Sequence, residues 1–326
     1  MRAAVIPTLA LPLLLAHCGS KGDLIIGNLE PVATGGSSVV PQGGIGAVGN
    51  SAGTETSGGG GGSAGSNTDG GVSGTAGVST QAGAPDNAGG DGSGCVGDEQ
   101  PPVDSLLHRY SFDGTGTAVL DSVGTANGSL VGGAMLDGSG VLTLPGNRDG
   151  QPDQYANLPN GLISSLAEVS IVVWTTWVGG AGYQRVFDFG ISDTGEGQGN
   201  SGKSYLAVMP STGFANGTGL GAEIAAPGFP TTGLPSPEMM NNRPAVVGFV
   251  LRSGVNVGLF LDGELLIETP TTLKLSDIKD VNDFVGESQW SKDHPYHGSY
   301  DEFRIYGAAL TACQLRVLVD RGPDAL

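Results

Sequence analysis

No Phe, Trp or Tyr occurs in the first 109 residues of this 326-residue chain; every aromatic lies between Tyr110 and Tyr306. A segment without large apolar side chains cannot bury enough surface to offset the entropy of ordering it, so only the second part of the chain can build a core. Basic residues are also scarce, 14 Lys and Arg against 32 Asp and Glu, for a formal charge of −18. Phosphate backbones and anionic lipid headgroups both call for a Lys/Arg surface, which excludes nucleic acid as a partner and argues against direct binding to a membrane surface. The N-terminal apolar stretch, Ala3 to Ala16, is short: at ~14 residues it falls below the ~20 that a bilayer-spanning helix needs. Cysteine is limited to Cys18, Cys95 and Cys313.

Met1-Arg2 followed by that apolar stretch reads as a secretory signal. It ends in Leu15-Ala16-His17-Cys18, which resembles the lipobox of bacterial lipoproteins, where the Cys thiol is lipidated and becomes the first mature residue. His17 departs from that pattern, in which a small residue precedes the Cys, and an ordinary signal peptide with an incidental Cys18 is the alternative. Acyl chains on Cys18 would hold the protein to a membrane through ~0.8 kcal/mol per buried methylene, making the lipid anchor its one membrane contact. Gly19-Ser20 lacks the Asp that retains lipoproteins of this class at the inner membrane, so the expected location is the outer membrane or cell surface. In an exported chain Cys95 and Cys313 remain as a disulfide pair, with two buried free thiols as the alternative.

The chain divides into a signal over residues 1–18, a tether over 19–100 and a folded domain over 104–326. The tether is built of Gly, Ser, Ala, Thr and Asn, with Lys21 its one basic residue and Gly58 to Gly62 an unbroken glycine run. A Gly-rich chain of ~80 residues has a root-mean-square span of roughly 50 Å. The domain, at roughly 220 residues, suits a single all-β sandwich. It opens with the alternating strand Leu106 to Phe112, turning at Asp113-Gly114. Short apolar runs follow at regular spacing, punctuated by Gly and Pro. The clearest local signal is Val255 to Ile267, two arms joined at Asp262-Gly263 as in a type I′ hairpin. Near the end, Thr311 and Gln314 stand at capping-box spacing, Leu310, Leu315 and Leu318 share one face, and Gly322-Pro323 stops the helix.

The segment Gly286-Glu-Ser-Gln-Trp-Ser-Lys-Asp-His-Pro-Tyr-His-Gly-Ser-Tyr-Asp-Glu-Phe-Arg-Ile-Tyr306 resembles the closing strands of bacterial laminin-G-like domains of the concanavalin-A-like lectin class. Asp121-Ser-Val-Gly-Thr-Ala-Asn-Gly-Ser-Leu130, Gln154 to Gly161 and Gln184 to Gly190 add to the resemblance, which spans nearly all of Leu106 to Leu318. It implies an all-β jelly-roll sandwich of two antiparallel sheets with a short C-terminal helix. Such folds host many activities, so the function must be argued from a site.

Glycoside hydrolases on this fold carry carboxylates at alternate positions of one strand, and no Glu-x-Asp-x-x-Glu or Glu-x-Asp-x-Glu string occurs here. Glu264 and Glu268 read as a solvated hairpin face, and His108, His294 and His297 as loop or strand histidines short of a zinc set. The resemblance implies calcium as the cofactor to test. Asp113 after the first strand and Asp301 in the last are its candidate ligands, against the alternative that Asp113 sets a turn and Asp301 bonds backbone or Arg304. For sugar binding, exposed rings are needed, and Tyr183, Trp290 and Tyr296 with His297 are the candidates, loop packing being the other reading. Of Trp174 and Trp177, on opposite sides of a strand, at least one belongs to the core. The expected role is therefore non-catalytic recognition of a glycan or of a cell-surface or matrix protein. A glycoside-hydrolase-like enzyme and a structural module of the envelope are the alternatives.

Overall fold

A computed structural model describes Cys95 and residues 99–146, 150–212, 219–238, 240 and 242–326. The expected signal with Cys18 and nearly all of the expected tether lie outside the described residues. In chain order the first strands are β1 (Leu106–Tyr110), β2 (Thr115–Gly116), β3 (Ala118–Val119), β4 (Gly128–Val131), β5 (Leu136–Asp137) and β6 (Leu142–Pro145). The middle of the domain supplies β7 (Tyr155–Leu158), β8 (Glu168–Trp177), β9 (Phe187–Ser192), β10 (Gly202–Met209), β11 (Gly221–Ala225) and β12 (Thr232–Pro235). Then come β13 (Pro244–Arg252), β14 (Asn256–Leu261), β15 (Glu264–Pro270), β16 (Asn282–Val285) and β17 (His297–Tyr306), and α1 (Ala312–Arg321) closes the chain.

These strands form the two antiparallel sheets of a jelly-roll sandwich. One sheet runs β1-β17-β8-β13-β14-β15 with β6 also on β17; the other runs β12-β11-β10-β9-β16-β7-β4-β3, and β2 pairs with β5 apart from both. Alternation sets the faces. On β8, Val169, Ile171, Val173 and Trp177 enter the core between the sheets, while Val172 and Trp174 point the other way, under α1. Phe187 and Phe189 of β9 enter the core from the second sheet, where Phe187 meets Phe303 of β17 edge-on at 5.7 Å.

Leu315 and Leu318 bury α1 on the outer face of the first sheet, beside Phe260 and Tyr306. The capping box forms: Gln314 N donates to Thr311 Oγ1 at 3.2 Å and Thr311 N donates to Gln314 Oε1 at 2.9 Å. Cys95 is bonded to Cys313 within α1. Residues just after Cys95 run along the helix, with Gln314 Nε2 donating to the Gln100 carbonyl at 3.2 Å and Thr311 Oγ1 to Glu99 at 3.2 Å. The N-terminal entry to the domain is thus fastened to the outer face of the first sheet.

At the β14–β15 hairpin, Asp262 (φ 51°) and Gly263 (φ 82°) are both left-handed, as a type I′ turn requires. At the Asp113-Gly114 turn the chain bends at Gly114, and the preceding Phe112 is left-handed (φ 56°) with its buried ring 6.3 Å from Tyr300. Among the described residues no helix is long and apolar enough to cross a membrane.

Candidate functional site

The outer face of the second sheet carries an open cavity of about 200 Å³. Its floor follows from alternation on β10: Leu206 and Val208 enter the core, so Tyr205, Ala207 and Met209 turn outward. Ala207 pairs with Asp188 of β9 on one side and with Glu223 of β11 on the other, which places two carboxylates in one transverse row. The Tyr205 hydroxyl donates to Glu223 Oε1.

Two loops complete the walls. The segment after β8 bends through Gly179 and Gly180 and ends on Tyr183, whose φ of 62° is unusual for a bulky residue. It is held there from both sides: Tyr183 N donates to the Ser211 carbonyl at 3.0 Å, and its own carbonyl accepts Arg185 Nη1. The ring stays 40% exposed at the rim. Strain of this kind persists where surrounding structure imposes it, and it concentrates at binding sites. The second loop, between β16 and β17, closes on itself through Tyr296 N to the Gly286 carbonyl at 2.9 Å. Within it Asp293 N donates to the Trp290 carbonyl at 3.1 Å and Trp290 N to Ser288 Oγ at 3.1 Å. The Trp290 ring meets Tyr205 edge-on at 4.8 Å.

Arg185 joins the two loops. Its Nη2 donates to Asp293 Oδ2 at 2.9 Å and its Nε to Asp188 Oδ2 at 3.3 Å, and the guanidinium lies 5.4 Å from the centre of the Trp290 ring. Burial pushes the Asp188 carboxyl up to about 6, against the lowering effects of Arg185 and of Gln289, whose backbone N donates to it at 3.0 Å. Gln289 itself is fully buried and reaches Asn282, whose Nδ2 donates to Gln289 Oε1 at 2.8 Å and whose Oδ1 accepts Gly197 N at 2.7 Å. This chain of amides ties the floor of the cavity to the 193–201 loop.

Of the sequence candidates, Tyr183 and Trp290 meet in this cavity and the others do not. Tyr296 is fully buried: its ring lies 4.8 Å from that of Tyr300 in a tilted contact and its hydroxyl bonds Thr175 Oγ1 at 2.8 Å, which places it in the core and outside the cavity lining. His297 starts β17 against Pro145 of β6, its N donating to Gln184 Oε1 at 3.3 Å, and lies outside the cavity lining. Asp113 is exposed and abuts Gly140, whereas burial and the nearby Asp324 charge raise the Asp301 carboxyl. Among the described residues no group of three or more His, Cys, Asp or Glu could hold a metal ion, and Asp113 and Asp301 belong to no such group. Arg185, Tyr205, Glu223 and Asp293 were absent from the sequence candidates. The alternation Ser204-Tyr-Leu-Ala-Val-Met209 carried the signal for Tyr205, an aromatic out of phase with the core.

Residues 149–316, just over half of the chain, match the family described as the concanavalin A-like lectin/glucanases superfamily (Laminin_G_3). The chain belongs to this superfamily. No curated protein matches it. Among solved structures it is similar to domain 4 of the extracellular arabinanase AbnA of Geobacillus stearothermophilus in complex with arabinotriose, at 19% identity and TM-score 0.49, covering 65% of this chain and 97% of that one. It is also similar to the binding domain of botulinum neurotoxin DC in complex with rat synaptotagmin II, at 13% identity and TM-score 0.50, over 67% of this chain and 52% of that one. A sialidase carbohydrate-binding module of Ruminococcus gnavus bound to α2,3-sialyllactose follows at 20% identity and TM-score 0.38, over 47% and 83%. At these identities the likeness concerns the fold alone.

Proposed function

We propose that this superfamily member is a non-catalytic glycan-binding module and that the cavity between Tyr183 and Trp290 is its sugar site. The observation that carries the reading is an exposed ring, on a backbone held from both sides, at the mouth of an open cavity whose walls bear carboxylates. A pyranose presents an apolar face and a rim of hydroxyls; rings receive the first and carboxylate oxygens accept the second. The superfamily's description embraces both lectins and glucanases. Hydrolysis is disfavoured because Asp293 Oδ2 already accepts Arg185 and Ser288 Oγ (2.9 Å each), and Glu223 accepts Tyr205.

The module is read as one end of an exported, lipid-anchored protein of the outer membrane or cell surface. In support, the domain's N-terminal entry is fastened to the face under α1, and the cavity opens on the opposite face of the sandwich. The path of the chain into the domain therefore lies on the far side of the sandwich from the cavity. The test is a glycan-array assay on the full chain with calcium and again with EGTA. Saturable binding lost in Tyr183→Ala and Trp290→Ala supports the reading, and loss in EGTA would bring calcium into it. Absence of binding in both conditions overturns it.

A further inference from the structure

Arg185 is the one cation lining the cavity among the described residues, and its charge is already committed. Its side chain is only 5% exposed, Nε faces Asp188, Nη2 faces Asp293 and Nη1 bonds the Tyr183 carbonyl. All three nitrogens therefore serve the protein's own oxygens, and two carboxylates oppose one guanidinium. These bonds use three of its five N–H donors, and a ligand carboxylate reaching the rest would meet a side chain almost wholly buried and a charge that two carboxylates already oppose.

The opposite wall adds a third carboxylate. Glu223 lines the cavity from β11 and uses Oε1 for the Tyr205 hydroxyl. A carboxylate has about four lone-pair positions, so acceptor capacity remains on Glu223 as it does on Asp293. The exposed Lys292 lies in the Trp290 loop and the exposed Lys203 in β10, but neither lines the cavity. The site thus offers rings and acceptors, with its one cationic donor turned inward, inside a chain of charge −18. Its local field and that of the whole protein have the same sign.

Resting on the glycan reading above, we infer that the cavity selects sugars by charge. It binds a pyranose through hydroxyl or amino hydrogens donated to Glu223 and Asp293, and it excludes sugars carrying carboxylate, sulfate or phosphate. Arg185 positions the walls and does not contact an anionic group of the ligand.

The experiment compares the full chain on an array holding neutral, free-amine and carboxylated oligosaccharides of matched length, at roughly 20 mM and 300 mM salt. The carboxylated series is expected to bind at least about 10-fold more weakly than its neutral counterpart, a gap of about 1.4 kcal/mol. Raising the salt should narrow that gap, because screening acts on the repulsion. Glu223→Gln, which removes a charge at constant shape, should narrow it at low salt and weaken the free-amine series. Equal or tighter binding of the carboxylated sugars by the wild-type chain overturns the inference and leaves the glycan reading standing. Failure of all three series to bind overturns both. The wild-type comparison decides these outcomes whether or not the variant folds.

Discussion

The Arg185 guanidinium lies 5.4 Å from the centre of the Trp290 ring, joining the segment that precedes β9 to the loop between β16 and β17. Because the same side chain faces the fully buried Asp188, it carries structure as well as the site. Arg185→Ala is expected to destabilise the domain by about 3–5 kcal/mol, the cost of leaving a buried charge without its partner. Arg185→Lys should recover part of that stability without the fork geometry that orients Asp293 and Trp290 together. Urea denaturation of the two variants beside the wild type reads the difference, and an Arg185→Ala variant as stable as the wild type would show that the ion pair is dispensable.

Trp290 rests on Gly202. A Cβ added there would stand 2.7 Å from Trp290 Cη2 and 2.9 Å from Tyr205 Cδ1, so the rings need the bare backbone of β10 beneath them. Gly202→Ala should push Trp290 out of its edge-on contact with Tyr205. Glycan binding is expected to fall about 10-fold, with a stability loss of about 1–3 kcal/mol from overpacking. Unaltered binding, together with unaltered Trp fluorescence, would mean that Trp290 is not held by this contact.

The architecture was legible where alternation and turn chemistry act locally. The Asp262-Gly263 hairpin, the Thr311 and Gln314 caps and the outward turn of Trp174 relative to Trp177 each depend on residues only a few positions apart. Tyr296 was misplaced because its neighbours His294, Pro295 and His297 read as a polar loop. The loop closes back through the Gly286 carbonyl and drops Tyr296 beside Thr175, more than a hundred residues earlier in the chain. Glu223 and Asp293 escaped notice for a related reason: only the pairing of β9, β10 and β11 and the reach of Arg185 bring their side chains to one cavity.

Tyr296 and Tyr183 should therefore separate in a mutational test. Tyr296→Phe removes a buried hydroxyl bonded to Thr175 Oγ1 at 2.8 Å. Thr175 also donates to the Ser299 carbonyl at 2.6 Å, so its own hydroxyl stays satisfied. A loss of about 1 kcal/mol in chemical denaturation is expected, with glycan affinity unchanged. A selective loss of affinity in Tyr296→Phe would return that residue to the ligand site.

The Cys95–Cys313 bond closes a loop of 218 residues. The chain-entropy treatment gives on the order of 5 kcal/mol for a loop of that size, an upper figure because measured effects fall short of it. Cys313→Ser should lower stability by about 2–5 kcal/mol. It should also release residues 99–100 from α1, since their contacts with Thr311 and Gln314 are surface hydrogen bonds. Limited proteolysis near residue 99 is the sensitive readout. Cleavage at the same rate in oxidised wild type and in the variant would show that those hydrogen bonds alone hold the entry segment.

Acid should stabilise this domain before it unfolds it. The Asp188 carboxyl moves from 3.8 to about 6 on folding, chiefly through burial. Between those values the folded state keeps a proton that the unfolded chain has released, so stability falls as pH rises through the window and grows on acidification from 7 towards 4. The shift corresponds to roughly 3 kcal/mol, or about 6–12 °C in Tm for a domain of this size. Asp283, fully buried and raised by burial and by the Asp280 charge, acts in the same direction. Asp121 acts in the opposite one: His108 at 2.7 Å and several backbone N–H donors lower its carboxyl despite partial burial, so its contribution is present above its unfolded value and lost as pH falls through the lower folded one. A Tm maximum near pH 4–5 is expected, flattened on its neutral side in Asp188→Asn. A steady fall in Tm from pH 7 to 5 in the wild type would mean that Arg185 outweighs burial and that Asp188 is already an ordinary paired carboxylate.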